Sequence, residues 1–203
     1  MHRCLTIVFA MLFSSTASAE EIPLKDVWGF RMPGTRPLRE GLPPGKAPES
    51  LLIREIVPAL RIPAKQDPGE GFAVKGEGID ALQEAHAVVL KKQKPQTEFS
   101  DDADTSIVFF TRPAAVYVHL DRVERKGDEV TISYHFVQHL EKITSCHIAL
   151  IPLGKLPPGT FKVDLVRLPD AFASTFSAPN LAKDFESRVV CKSFEFKVKA
   201  SDR

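Results

Sequence analysis

From Thr105 onward, apolar and polar residues alternate along the chain with a period of two. The segments TSIVFFT (105–111), AAVYVHLDRVE (114–124), DEVTISYHFVQ (128–138), SCHIALIPL (145–153), GTFKVDLVRL (159–168) and RVVCKSFEFKV (188–198) are rich in β-branched and aromatic residues. They read as six strands joined by turns, the pattern of a sandwich or a strongly twisted antiparallel sheet. The hairpin around Lys126-Gly127-Asp128 fixes a register. As a three-residue loop it sets Val118 against Phe136, Leu120 against Tyr134 and Arg122 against Ile132, with the apolar residues on one face. A two-residue loop would mix apolar and polar side chains on both faces, which burial penalises. The chosen register puts His119 opposite His135 on the other face, beside Asp121 and Ser133.

Before Thr105 the period changes. GIDALQEAHAVVLKKQKP carries Ile79, Leu82, His86 and Val89 at helical spacing with Ala85 between them. Asp80 and Glu84 near its start and Lys91, Lys92 and Lys94 near its end complement the helix dipole, and Pro95 stops it. Earlier still, eight of the 16 prolines fall between Pro33 and Pro68, too dense for a central strand or a long helix. Residues 20–68 therefore read as a Pro-rich arm carrying one short helix in ESLLIREIVP, and residues 69–203 as a helix plus a β-sandwich domain.

IALIPLGKLPPGTFKVDLVRL resembles the corner of many bacterial immunoglobulin-like sandwich domains. There an apolar residue ends a strand, a Pro-Gly corner follows and an aromatic opens the next strand; Leu153, Pro157-Pro158-Gly159 and Phe161 fit. Phe161 has no hydroxyl with which to form a tyrosine corner. The resemblance implies an antiparallel immunoglobulin-like sandwich with one packed helix. PLKDVWGFRMPGTRPLRE, GFAVKGEGIDALQEAHAVVL and IALIPLGKLPPGTFKV together are similar to uncharacterised secreted bacterial proteins, a likeness that implies architecture and no activity.

Residues 1–19 read as a secretory signal peptide: Arg3 in a positive start, an apolar run from Leu5 to Phe13, and Ala17-Ser18-Ala19 as the cleavage site. The protein is expected in the periplasm or outside the cell. Losing Arg3 takes the net charge from +1 to 0, a balance that implies neither nucleic acid nor an anionic membrane surface. No later stretch is apolar enough to span a bilayer. In an oxidising compartment Cys146 and Cys191 are most simply one disulfide, worth about 4 kcal/mol by the loop-entropy argument.

Candidate chemistry is sparse. Four histidines, His119, His135, His139 and His147, lie within 29 residues of strand-rich sequence. The cross-strand pair His119 and His135 with Asp121 can supply part of a Zn or Cu coordination sphere, although polar cross-strand pairs are also ordinary on a solvated sheet face. His86 reads as a partly buried core residue. Gly76-x-Gly78-x-x-Ala81 runs into a helix but lacks the βαβ series of a dinucleotide site. Asp101, Asp102 and Asp104 form a polar turn without the glycine and terminal Glu of an EF-hand. There is no G-x-S-x-G elbow and no H-E-x-x-H. In DVWGFRMPGTRPLRE, Trp28, Phe30 and Met32 alternate with Gly29 and Arg31, so the segment lays an apolar edge on the domain. Its Trp28, Arg31, Arg36 and Arg39 form a candidate surface for a protein or glycan partner. The leading expectation is an exported, non-catalytic binding or structural module. The alternatives are a metal-binding protein centred on the histidine pair and a hydrolase built from dispersed residues.

Overall fold

A computed structural model describes residues 18–31, 36–37, 55–56, 69–114, 116–138, 145–169, 171–172 and 189–201. The apolar run of the expected signal peptide, most of the Pro-rich segment, Arg39 and His139 lie outside them.

The first strands are short: β1 (Glu20–Glu21), β2 (Trp28–Arg31), β3 (Arg36–Pro37), β4 (Glu70–Lys75) and β5 (Glu98–Ser100). The long ones follow: β6 (Asp104–Ala114), β7 (Val116–Lys126), β8 (Glu129–Gln138), β9 (Ser145–Lys155), β10 (Gly159–Arg167) and β12 (Val189–Lys199), with the two-residue β11 (Ala171–Phe172) before the last. One helix, α1 (Gly78–Leu90), separates β4 from β5. The strands form a seven-stranded sheet, in the order β1-β7-β8-β10-β12-β5 with β11 beside β8, and a five-stranded sheet, β3-β2-β9-β6-β4.

Three layers result, and the sequence pattern of each strand follows from its layer. Ile107, Phe109, Ala149 and Ile151 on the five-stranded sheet meet Val130, Ile132, Tyr134, Phe161, Val163, Leu165 and Phe196 between the two sheets. The alternate residues Val108, Phe110, Ile148 and Leu150 face the other way, onto Ala81, Leu82 and Ala85 of α1 and onto Ile56. The runs IVFF and IALI are thus buried on both faces, which is why they are continuous rather than alternating. On the seven-stranded sheet, Lys162, Asp164, Glu195 and Lys197 alternate with the core residues and face out.

Two features depart from expectation. The seven-stranded sheet is mixed: β8 and β10 run parallel, from Lys162 beside Glu129 to Arg167 beside Tyr134. The chain leaves this sheet after β8, adds β9 to the opposite sheet and returns next to β8, so it re-enters in the same direction. The beginning of the expected arm also belongs to the fold. Glu20–Glu21 pairs with Glu124 and Arg125, and Trp28–Arg31 pairs with His147–Leu150, so one short segment joins both sheets. Residues Glu55–Ile56 are helical, with Ile56 fully buried and Glu55 bonded to His86 at 2.6 Å.

Cys191 is a free thiol, so the expected bridge to Cys146 is not formed. The two cysteines stand on different sheets, Cys146 on β9 and Cys191 on β12. Leu165 pairs with Lys192 and Val166 with Val190, which makes Cys191 the extra residue of a β-bulge. Its thiol lies instead against the Tyr134 hydroxyl.

Thr105, at the start of β6, is fully buried, and its hydroxyl has no hydrogen-bond partner among the described residues. A buried hydroxyl without a partner carries an uncompensated desolvation cost. Thr105→Val is therefore expected to raise stability by about 1 kcal/mol, read as a higher urea midpoint at unchanged slope.

Candidate metal centre

The β7–β8 hairpin builds the site. Its turn holds two residues, Gly127 and Asp128, because Lys126 pairs with Glu129. Gly127 takes φ 60°, as a two-residue hairpin turn with glycine first requires. Val123 therefore faces Ile132, where Arg122 was expected. The register then slips once: Val123 pairs with Ile132, Arg122 with Ser133 and Leu120 with Tyr134, leaving Asp121 as the extra residue of a bulge. Beyond the bulge, Val118 faces Phe136 and His119 faces His135, as the sequence pattern required. Leu120 and Val123 both pack toward the core, while Arg122 pairs with Glu124 and Glu21. The bulge lets Asp121 join the two imidazoles on the outer face.

There the three side chains converge. His135 Nδ1 lies 2.9 and 2.7 Å from the two Asp121 carboxylate oxygens. His119 Nδ1 is 3.5 Å from Asp121 Oδ1, and the imidazole centroids are 5.1 Å apart with planes tilted by 30°. Side-chain exposure separates their roles: 2 % for Asp121, 6 % for His135 and 63 % for His119. Burial pushes the Asp121 carboxyl up, but the hydrogen bonds from His119 and His135, reinforced by their charge, outweigh it and hold it below the usual range. The hydrogen bond to Asp121 raises the His119 imidazole above its usual value against the opposing effect of desolvation. No protein-family model, curated protein or solved structure matches the chain.

The donor set fits a borderline divalent cation. One nitrogen from each histidine and one Asp121 oxygen lie within 4.8 Å of one another. Zinc bonds of about 2.1 Å ask for ligand atoms roughly 3.0–3.4 Å apart. His135 Nδ1 and the Asp121 oxygens, 2.9 and 2.7 Å apart, would have to separate slightly, and the exposed His119 would close in on them from within 4.8 Å. Metal entry would replace the hydrogen bond between His135 and Asp121.

The other sequence candidates disperse. His147 stands on the five-stranded sheet opposite Arg31 and Thr111, and His86 lies on α1 bonded to Glu55. Arg31 and Arg36 are neighbours on β2 and β3. Asp101 accepts a hydrogen bond from the Ser201 amide at 2.8 Å, so the acidic triplet includes a chain-closing turn. Gly76 and Gly78 have φ of 88° and 54° and form the bend between β4 and α1, within an antiparallel β4–β6 pair rather than a βαβ unit. Sequence reasoning missed Lys25, Asp26 and Glu77, which meet Trp28 at a cleft. Asp26 and Glu77 are brought there by the β2–β9 pairing and the start of α1, and no local spacing signals it. Among the described residues, no helix is long and apolar enough to cross a membrane.

Proposed function

We propose that this is an exported binding protein that holds one Zn²⁺ or Cu²⁺ ion between His119, Asp121 and His135. The observation that carries the reading is a carboxylate only 2 % exposed that meets two imidazoles on neighbouring strands. Imidazole nitrogen and carboxylate oxygen suit both ions. Asp121 and His135 supply two buried donors, and the exposed His119 closes the site from the solvent side. Three protein donors leave coordination positions open to solvent or an added ligand, the arrangement of an exchangeable rather than a closed structural site. Export is supported by the leader up to Ala19 and by a first strand that begins at Glu20.

Thermal unfolding of the chelator-treated protein tests this. Zn²⁺ or Cu²⁺ at 100-fold its dissociation constant is expected to add about 2.7 kcal/mol, raising Tm by roughly 5–10 °C. His119→Ala and His135→Ala are expected to abolish the shift. An equal shift in both variants, or none with either ion in the parent protein, would overturn the proposal.

A further inference from the structure

A second feature lies on the other sheet and concerns the only tryptophan of the chain. Val27 is buried between the sheets, so Trp28, the next residue, turns to the opposite face, where it packs beside α1. Gly78 opens that helix with φ 54°, and a Cβ there would lie 3.4 Å from the indole Cη2. The helix therefore starts in contact range of the indole edge, and it is the positive φ that favours glycine there. Beside them is an open cleft of roughly 440 Å³, walled by Lys25, Asp26, Trp28, Glu77 and Pro152. This is the size of a small-molecule site.

Three charged side chains reach this cleft without committed partners. Among the described residues, neither Lys25, Asp26 nor Glu77 makes a side-chain hydrogen bond or ion pair. Glu77 sits at the helix start but makes no side-chain capping bond. The signs are mixed, two carboxylates and one ammonium. An anion would meet Asp26 and Glu77; a cation would meet Lys25. A neutral ligand that both donates and accepts hydrogen bonds and has one apolar face satisfies every wall. A pyranose ring meets that description: its axial C–H face lies flat on an indole, its hydroxyls donate to carboxylates and its oxygens accept from an ammonium.

We infer that the Trp28 cleft is a carbohydrate-binding site, independent of the metal centre, for one or two sugar rings of a neutral oligosaccharide. The indole supplies the stacking surface, Asp26 and Glu77 accept from ring hydroxyls, and Lys25 donates.

Because Trp28 is the sole tryptophan, its fluorescence reports on the cleft directly. The probes are maltotriose, cellotriose and triacetylchitotriose, each titrated into the protein with chelator present, with binding heats measured in parallel. At least one sugar is expected to change the emission saturably with a dissociation constant at or below about 1 mM. Binding heats should show affinity about tenfold or more weaker in Trp28→Phe and in the Asp26→Asn/Glu77→Gln double variant. Asp26 and Glu77 are exposed, so the double variant stays informative even if Trp28→Phe fails to fold. The inference is overturned if none of the sugars alters emission or gives heat up to about 10 mM. It is equally overturned if the double variant binds as the parent does, or if phosphate or tetramethylammonium perturbs Trp28 while the sugars do not.

Discussion

Alanine in place of Tyr134 is expected to destabilise the protein by about 3–5 kcal/mol, a large part of the stability of a domain this size. Tyr134 is fully buried at the centre of the sandwich, where its ring meets Phe109 at 5.0 Å and Phe136 at 5.8 Å between centroids. Its hydroxyl reaches across to the opposite sheet and accepts the Gly69 amide hydrogen at 3.0 Å. Gly69 lies so close to the Phe109 ring that a Cβ there would fall inside contact distance. Truncation therefore opens a cavity and also strands a buried amide. Tyr134→Phe separates the two effects: it keeps the ring and loses only the acceptor, so a cost of about 1–3 kcal/mol is expected in chemical unfolding.

The same substitution carries a pH signature. Burial, opposed by the Gly69 amide and reinforced by Cys191, pushes the Tyr134 hydroxyl up to about 12. In the unfolded chain a tyrosine ionises near 10. Its contribution is fully present below about pH 10 and is lost as pH rises toward 12, because the unfolded state gives up its proton first. The parent should lose about 3 kcal/mol across that window relative to Tyr134→Phe. A parallel alkaline decline in both proteins would show that the hydroxyl is not held neutral by the fold.

How much of this could be read from the chain depends on where the information sits. Four of the six long strands follow from their own alternation and the helix from its apolar stripe, each a local pattern against one buried surface, whereas β6 and β9 show as continuous apolar runs because both of their faces are buried. The His119–His135 pairing was also legible, but by a route in which two errors of one residue cancel. The turn is one residue shorter than the three-residue loop, and the bulge at Asp121 restores the register beyond it. A trace of the bulge is visible in HLDRVE, where Leu120 and Val123 are three apart rather than two. By contrast, β2 and β4 are short and lie in or beside the Pro-rich region, so local composition argues against them. They exist because Leu150 and Phe110, far along the chain, offer sheet edges on which to pair. Convergence of Trp28 with Glu77 has the same origin and leaves no signature in spacing. The free Cys191 follows from a β-bulge beside Tyr134, of which neither compartment nor cysteine count carries a trace.

Removing the Asp121 carboxylate is expected to be costly as well, because it strands a buried partner. Asp121→Ala leaves the buried His135 ring nitrogen without its hydrogen-bond partner, and an unsatisfied buried polar group costs about 1–3 kcal/mol. Asp121→Asn keeps an acceptor of nearly the same shape and should cost less, so their difference isolates the hydrogen bond from the charge. In the metal-free protein this charge is pH-dependent in two senses. Asp121 is held below its usual value, so its contribution is present above about pH 4 and is lost as pH falls through the folded value. His119 is held above its usual value, so its contribution is complete below about pH 6.5 and is lost as pH rises through the folded value. The advantage of the parent over Asp121→Asn should therefore be greatest between about pH 4 and 6.5. A bound cation inverts the upper limb, since it needs unprotonated imidazoles and gains affinity as they lose their protons. Unfolding curves with excess Zn²⁺ should then show the parent's advantage still growing above pH 6.5. If the profiles with and without the ion coincide, His119, Asp121 and His135 act only as a pin for the bulge. If they diverge in that direction, the same three side chains stabilise the bulge without metal and bind the ion when it is present.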